Sequence, residues 1–160
     1  MYDVLQGISD HAKLQIALNA VEKGSNPWGC TDYLNQKKKI LETGADVYEL
    51  MNDYPVHTKA VLINDRLSVV GSYNLDMRSS YLDTELMLVI DSEKLSQQIH
   101  ETESDYMEKS KEVLANGQET EGAKYQGKVL NRKKKLYYGV LMIIIPTTCT
   151  PCFAGTSEFV

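Results

Sequence analysis

The sequence contains few of the residues that mark fibrous, low-complexity or disulfide-linked chains. Its 160 residues include ten Gly, four Pro and three Cys, too few for a collagen-like protein or a disulfide framework. No basic segment followed by an apolar stretch stands at the N-terminus, so we see no signal peptide and expect the cytoplasmic side. Hydrophobic residues make up 42% and charged residues 24%, which excludes a disordered chain. The length is sufficient for one domain and little more.

The chain also lacks an obvious metal-ligand cluster and a basic surface for nucleic acid. Cys149 and Cys152 have the Cys-Thr-Pro-Cys spacing of redox and zinc sites, but no second pair and no nearby histidine completes a tetrahedral site. We therefore expect neither a metal nor another cofactor. The net charge of −5 argues against a chain built mainly to bind nucleic acid.

The bases that are present concentrate just before the most apolar run. Residues 122–136 contain six bases and no acid, and residues 136–145 are the most apolar stretch of the chain. A membrane-spanning helix needs about 20 apolar residues, and this run has roughly half of that. A basic cluster beside an aromatic and aliphatic segment favours an interfacial anchor on an anionic membrane. A last core strand is the alternative.

The apolar spacing predicts an α/β layered domain that ends near residue 115, followed by a charged linker (116–135) and an apolar tail (136–160). The first predicted strand has Leu14, Ile16 and Leu18 on one face, although a short helix also fits this segment. Residues 84–90 are apolar on both faces, which is typical of a fully buried strand. We predict strands at 13–20, 45–51, 56–63, 66–70 and 84–90, helices at 31–43 and 92–114, and a hairpin turn at Asn64-Asp65.

One ordered set of polar residues carries chemistry. His57 and Lys59 lie two positions apart on a predicted strand, so their side chains share a face. A neutral imidazole there can attack phosphorus while the ammonium group holds phosphate oxygens. Gly71, Ser72 and Asn74 follow the hairpin. Glycine allows a ligand to approach the backbone, and the Ser and Asn side chains offer donors to an anion.

A carboxylate completes the set. Glu85 stands near the start of the predicted apolar strand at 84–90. A buried carboxylate needs a hydrogen-bond partner, and an imidazole N–H is a natural one. Each of these residues alone is common in turns or on strand surfaces. Their combination and order are therefore the informative feature.

The chain contains a His-x-Lys motif, and a Gly-Ser-x-Asn motif begins at Gly71, fourteen residues after His57. This order and spacing resemble the signature of the phospholipase D superfamily. The surrounding segments, residues 57–63 and 70–80, resemble the bacterial cardiolipin synthase branch. The loop at 25–30 resembles the membrane-linked members of that branch. The similarity extends from about residue 14 to residue 99, which is over half of the chain.

The resemblance implies a phospholipase D-like layered sandwich, with a mixed β-sheet flanked by helices, that needs no metal. It also implies phosphodiester exchange on phospholipids in two steps. In such enzymes the motif histidine attacks phosphorus, and an alcohol or water then resolves the phosphohistidine. Carried over by position, His57 is the nucleophile or its general-acid counterpart, Lys59 and Asn74 bind phosphate, Gly71 and Ser72 line the pocket, and Glu85 orients the His57 ring.

The sequence departs from the family pattern in two respects. Asn64 stands where the family has an aspartate, at a turn position that we expect to be remote from phosphate. Family members use two motif copies, whereas this chain has one; His11 lies in a His-Ala-Lys segment that no Gly-Ser-x-Asn follows. We therefore expect a homodimer or a second catalytic half.

We accordingly expect a phosphatidyltransferase or phospholipase that is associated with the cell membrane on its cytoplasmic side. Its partners are then a phospholipid substrate and an anionic membrane surface, with no nucleic acid. Two alternatives remain open. One is a catalytically inactive fragment that docks on membrane or on a longer relative, and the other is a homodimeric nucleic-acid phosphodiesterase.

Overall fold

The computed structural model describes residues 1–24, 26–144 and 158–159 of the chain. They form eight strands and five helices, which confirms the predicted mixed α/β fold. The helices are α1 (Tyr2–Ser9), α2 (Pro27–Glu42), α3 (Met77–Tyr81), α4 (Glu93–Glu108) and α5 (Arg132–Ile144). The strands are β1 (Gln15–Asn19), β2 (Asp46–Leu50), β3 (Lys59–Ile63), β4 (Leu67–Gly71), β5 (Met87–Asp91), β6 (Ser110–Val113), β7 (Glu119–Glu121) and β8 (Glu158–Phe159).

The strands form one mixed sheet in the order β5-β4-β3-β8-β1-β2-β6-β7. The strands β1 and β2 are parallel and are connected through α2, as expected for a strand–helix–strand unit. The short strand β8 is antiparallel to β1 and parallel to β3. The four other neighbouring pairs are antiparallel. The strand β3, which begins at Lys59, therefore lies near the middle of the sheet.

Helices cover both faces of the sheet. Ile16 and Leu18 of β1 pack in one apolar cluster with residues of α1, α2 and α5. Ala17, between them, points to the opposite face and packs in a second cluster with Tyr106 and Met107 at the end of α4. This alternation confirms that Ile16 and Leu18 share a face, and it makes the domain a three-layer sandwich.

A buried carboxylate joins the sheet to α2. Glu49 on β2 is 6% exposed and accepts hydrogen bonds from the Tyr33 hydroxyl at 2.7 Å and from Lys37 Nζ at 2.6 Å. Lys111 Nζ on β6 lies 3.0 Å from its second oxygen. A buried charge is tolerated when it is paired in this way. The network therefore fixes α2 and β6 against the same central strand.

The structure corrects the predicted start of α2. The sequence analysis begins this helix at Thr31, whereas it begins at Pro27, and the Asn26 side chain accepts a hydrogen bond from the backbone N–H of Trp28. Asparagine at the cap followed by proline in the first turn is a favoured helix start. Thr31 is buried one turn later and donates its hydroxyl to the Pro27 carbonyl. The predicted end at residue 43 is confirmed to within one residue, and Gly44 follows with a positive φ of 87°.

Three other predictions about local structure are wrong. The apolar run at 84–90 is not buried on both faces, because β5 is the outermost strand and Leu86, Leu88 and Val89 are exposed. The helix that Ser92 caps ends at Glu108, and the chain then enters β6 rather than continuing to residue 114. The sequence analysis places no helix or strand between residues 71 and 83, whereas this segment contains the short helix α3.

The C-terminal part of the described chain is helical and partly packed on the core. The segment predicted as a linker includes β7, which pairs with β6. The helix α5 contacts α2, and its Tyr138 is buried in the apolar cluster of α1 and α2. A core strand at 136–144 is therefore wrong. No helix in the described residues combines the length and apolar character that crossing a bilayer requires. Cys149 and Cys152 lie outside the described residues.

Candidate functional site

His57 and Lys59 lie at the start of β3, but only Lys59 belongs to the strand. The strand begins at Lys59, so the predicted strand at 56–63 is three residues too long and His57 lies in the preceding loop. The His57 side chain is exposed, whereas Lys59 is buried. Lys59 Nζ donates a hydrogen bond to the His57 carbonyl oxygen at 3.2 Å. The two side chains thus offer an accessible imidazole next to a shielded ammonium group.

The surroundings of His57 favour its neutral form. Partial desolvation of the ring lowers the pKa of His57, and the nearby Lys59 ammonium lowers it further because two positive charges repel. An imidazole must be deprotonated to attack an electrophile. The site therefore increases the nucleophilic fraction of His57 at neutral pH.

Glu85 joins the two sides of the loop that follows β4. Its two carboxylate oxygens accept hydrogen bonds from the hydroxyl groups of Ser72 and of Ser79, the latter at 2.6 Å. These two hydrogen bonds, Ser72 first, lower the pKa of Glu85, and the charge of Lys59 lowers it further. Glu85 is therefore an anion that positions two serine hydroxyls.

The hydrogen bonds leave Ser72 little to offer a phosphate. A serine hydroxyl has one proton, and that of Ser72 is directed to Glu85. The same oxygen accepts from the Leu86 N–H at 3.1 Å, and the Ser72 N–H donates to the Leu86 carbonyl at 3.0 Å. As observed, Ser72 ties the loop to the start of β5 rather than presenting a donor to a ligand.

Asn74 is held by the first turn of α3. Its backbone N–H donates to Ser79 Oγ at 3.1 Å, and its side-chain amide lies 3.5 Å from the same oxygen. Asp76 caps α3 by accepting from the Ser79 N–H at 2.7 Å. Sequence reasoning missed Ser79, although a helix-capping Asp three residues before it was the available signal.

Gly71 is required by the neighbouring strand. A Cβ atom at this position would lie 2.0 Å from the Leu86 carbonyl oxygen and 2.6 Å from Met87 Sδ. Gly71 therefore allows the segment that enters β5 to approach closely, whereas the sequence analysis expected a ligand to do so. Any larger residue would displace the chain beside Glu85.

The structure brings most of the predicted residues to one end of the β3–β5 strands. Lys59 stands at the start of β3, Gly71 ends β4, and Glu85 just precedes β5, so antiparallel pairing juxtaposes them. Lys59 acts electrostatically on both His57 and Glu85. Among the described residues, no hydrogen bond joins Glu85 to His57. The hydrogen-bond partners of Glu85 are instead Ser72 and Ser79.

Asn64 lies at the far end of β3 from this site. Asn64 and Asp65 form the hairpin turn with φ angles of 52° and 54°, which confirms the predicted turn and suits these two residue types. As for metal ions, the described residues contain no group of three or more His, Cys, Asp or Glu side chains positioned to bind one.

Exposed apolar side chains lie close to the site residues in the sequence. Tyr54 precedes His57 by three residues, Tyr81 and Leu82 follow Ser79, and Leu86 follows Glu85. All four are exposed, Leu86 by 80%. Exposed apolar side chains that form a contiguous patch are typical of a surface that contacts another protein or a lipid.

Three features of this structure are those of a phospholipase D-like domain. They are a mixed sheet with helices on both faces, His-x-Lys at the start of one strand, and a Gly-Ser-x-Asn loop after the next strand. Residues 4–105 match the family model described as "Cardiolipin synthase, PLD-like domain". That match covers more than half of the 160 residues. The chain therefore belongs to the family of cardiolipin synthase, PLD-like domains.

Curated relatives support this assignment over parts of their length. Cardiolipin synthase A of Proteus mirabilis is 31% identical over 135 residues, which cover 81% of this chain and 26% of that protein. Cardiolipin synthase A of Cronobacter sakazakii is 38% identical over 73 residues, which cover 46% of this chain and 15% of that protein. The chain thus spans about a quarter or less of these relatives. No solved structure gives a significant match.

Proposed function

We propose that this chain supplies one catalytic half of a phosphatidyltransferase that exchanges phosphodiester bonds in phospholipids. The observation that carries the proposal is the exposed imidazole of His57 beside the buried ammonium group of Lys59. The family and the names of the relatives supply the substrate class, since those proteins are cardiolipin synthases.

The reaction proceeds through a phosphohistidine. A ring nitrogen of neutral His57 attacks the phosphorus of a phospholipid, the bond from phosphorus to the departing alcohol breaks, and that alcohol takes a proton from a general acid. A second alcohol then attacks the phosphohistidine, gives up its proton and restores the free imidazole. Lys59 stabilises the charge on the phosphoryl oxygens in both steps. Glu85 is a positioning residue that holds the loop of Ser72 through Ser79.

The general acid comes from a second motif copy. The chain has one His-x-Lys copy followed by Gly-Ser-x-Asn, so a second copy of this chain or a separate catalytic half supplies the other histidine. The exposed side chains of Tyr54, Tyr81, Leu82 and Leu86 support a partner that covers this side of the domain. A nucleic-acid substrate is disfavoured by the net charge of −5.

We further propose that α5 anchors the domain on an anionic membrane. Four of its exposed apolar residues follow helical spacing on one face, and Tyr138 on the opposite face is buried; Tyr137 and Met142 are also exposed, but outside that face. Four consecutive exposed bases, residues 132–135, form its first turn, and each adds about 1 kcal/mol on an anionic surface. The exposed apolar face consists of Leu136, Val140, Ile143 and Ile144.

Co-sedimentation with vesicles tests the anchor. We expect binding to phosphatidylglycerol vesicles, weaker binding to neutral vesicles, and a loss of about tenfold in affinity for Ile143→Asp. Val129→Asp is the matched control, because Val129 is equally exposed but lies outside α5. Equal binding by both variants, or no preference for anionic lipid, contradicts the anchor.

A transfer assay on phosphatidylglycerol vesicles tests the activity. If a second copy of this chain supplies the other histidine, we expect transfer by the wild type, none by His57→Ala, and unchanged transfer by His11→Ala, whose histidine lies in the incomplete His-Ala-Lys motif. Transfer by mixtures of wild-type and His57→Ala chains then shows how many chains form one active site. If two copies supply both histidines, activity falls with the square of the wild-type fraction; if one chain suffices, it falls linearly.

Three results would contradict the proposal. The first is transfer that survives in His57→Ala. The second is a monomeric protein whose transfer activity falls linearly with the fraction of wild-type chain. The third is an inactive wild-type dimer on anionic vesicles, which would favour the inactive fragment.

A further inference from the structure

The loop that carries His57 crosses the end of the sheet without regular structure. It connects β2, which ends at Leu50, to β3, which begins at Lys59. The strand β1 lies between β2 and β3 in the sheet, so the loop passes over the end of β1. Within the described residues, two side chains hydrogen-bond to the backbone of residues 52–57, and they are those of Asn19 and Lys59. Side chains, rather than strand pairing, therefore hold the backbone around His57.

Asn19 holds the residue that precedes His57. Its side-chain amide N–H donates to the Val56 carbonyl oxygen at 2.8 Å, and its side-chain oxygen accepts from the Val56 N–H at 2.8 Å. The amide thus exchanges two hydrogen bonds with one residue, as a strand residue does with its partner in an antiparallel pair. Asn19 and Val56 are both half-buried, where a backbone group without a partner is costly.

The sheet fixes Asn19 itself. Asn19 is the last residue of β1, and it pairs with Leu50 in the parallel ladder of β1 and β2. Ala17, two residues earlier, belongs to the apolar cluster on the α4 face of the sheet, so Asn19 lies on that same face. Val56 packs against the same cluster. The Asn19 amide therefore transmits the position of a central strand to the loop.

A second side chain holds His57 from the other direction. Lys59 Nζ donates to the His57 carbonyl oxygen at 3.2 Å. The Val56 carbonyl belongs to the peptide group that precedes the His57 Cα atom, and the His57 carbonyl belongs to the peptide group that follows it. Both peptide groups next to this Cα atom are thus held. The backbone therefore fixes the direction in which the exposed His57 side chain leaves the loop.

We propose that Asn19 is a positioning residue for His57. Its amide fixes the peptide group before His57, so that the imidazole stands beside Lys59 and is aimed at phosphorus. This role rests on the proposed function, in which His57 is the nucleophile. A displacement of about 1 Å at a reacting group costs about a hundredfold in rate. Loss of the amide should therefore slow the reaction, even though Asn19 acts only through His57.

The His57 ring reports its own position. Partial desolvation and the charge of Lys59 lower the pKa of His57, and Lys59 is the charged group that acts on the ring within the described residues. Both effects require the ring to stay near the start of β3. A released loop would let the ring gain water and leave the ammonium group, so the pKa of His57 should rise toward its ordinary value of 6.5. This change is measurable without substrate.

Transfer kinetics on phosphatidylglycerol vesicles test the role in the reaction. We expect Asn19→Ala to lower kcat by about 10- to 100-fold and to change KM by less than about threefold. Asn19→Asp has the same size and still accepts from the Val56 N–H, but it places an acceptor against the Val56 carbonyl. It should also lower kcat. Full activity of Asn19→Asp would exclude the hydrogen bond to the Val56 carbonyl as the positioning contact.

Histidine titration by NMR tests the same role without activity. The chain has three histidines, so the His57 signal is identified by its loss in His57→Ala. In Asn19→Ala we expect the pKa of His57 to rise toward 6.5 and the Val56 amide to exchange about tenfold faster with solvent. Thermal unfolding verifies that each variant is folded.

Asn116→Ala is the matched control. Asn116 also accepts a hydrogen bond from a backbone N–H, that of Gln118 at 2.9 Å, but it lies in the turn between β6 and β7. Its replacement should leave kcat, the pKa of His57 and the exchange of the Val56 amide unchanged. An equal loss of kcat in Asn116→Ala would overturn the proposal, because a general loss of stability would then explain both variants.

The two measurements separate this inference from the proposed function. If the wild type transfers and Asn19→Ala keeps its kcat, the positioning role is wrong while the function stands. If the wild type does not transfer, the function fails and the NMR data alone decide on Asn19. An unchanged pKa of His57 together with unchanged exchange of the Val56 amide in folded Asn19→Ala would then overturn the inference.

Discussion

Replacing Glu103 by leucine should stabilise the protein at high pH and have little effect at low pH. Glu103 is nearly enclosed between α4 and the sheet, without a partner among the described residues, and burial raises its pKa from 4.5 to about 7. The folded chain therefore holds this proton more tightly than the unfolded chain does. As pH rises from 4.5 to 7, the free energy of unfolding of the wild type falls.

The size of the effect follows from the pKa. A change from 4.5 to about 7 corresponds to an upper limit of about 3 kcal/mol. Glu103 is not fully enclosed, so solvent screens part of this energy, and we expect Glu103→Leu to gain about 2 kcal/mol at high pH. The gain should largely disappear at about pH 5, where folded Glu103 is protonated.

Urea unfolding of both proteins at about pH 5 and about pH 8.5 measures this difference. Other titrating groups cancel because each variant is compared with the wild type at the same pH. Glu101→Leu, on the exposed side of α4, should show no such pH dependence. A stability difference for Glu103→Leu that is the same at both pH values would refute the reasoning, since it would show that Glu103 is not charged and strained at high pH.

Three further predictions concern the core, the site loop and His57. Glu49→Gln should cost about 3 kcal/mol in urea unfolding, because it leaves two lysines beside a buried site, whereas Glu42→Gln in an exposed pair should cost less than about 0.5 kcal/mol. Gly71→Ala should destabilise by about 1–3 kcal/mol and impair transfer, because its Cβ would meet the Leu86 carbonyl. Gly139→Ala, with no neighbour within 4 Å, should instead stabilise α5 by about 0.5–1 kcal/mol. The rate of transfer should fall on acidification with a midpoint below pH 6.5, the ordinary pKa of histidine, because the pKa of His57 is lowered. A pH–rate profile with a midpoint above 6.5 would contradict the assignment of neutral His57 as the nucleophile.

Local patterns in the sequence predict much of the fold. The alternation of Leu14, Ile16 and Leu18 correctly indicates a strand with one apolar face, and Asn64-Asp65 correctly indicates the hairpin turn. The early start of α2 at Pro27 was also readable, because Asn-Pro is a common helix start. These features depend on residues close together along the chain.

The features that depend on distant neighbours were not predictable in the same way. The apolar run at 84–90 indicates burial, but whether a partner covers it depends on the strand order, which leaves β5 at the edge. The sequence predicts that Gly71 makes space for a ligand, whereas the nearby atoms belong to Leu86 and Met87. The family resemblance implies that Glu85 orients His57, while the fold places two serine hydroxyls against Glu85.

The site residues follow the same division. The family resemblance implies that His57, Lys59, Gly71 and Glu85 serve one site, and local pairing of β3 with β4 and of β4 with β5 brings together the strands that carry them. The resemblance could not predict that Lys59 is buried while His57 is exposed.

The central claim is that His57 forms a covalent bond to phosphorus. Brief incubation of the chain with phosphatidylglycerol vesicles, an alkaline quench that preserves the acid-labile bond, and mass spectrometry of the peptides test it directly. The account predicts a phosphatidyl group on His57 that is present in His11→Ala and absent from His57→Ala. Transfer with no adduct on His57, or with the adduct on another residue, would contradict it.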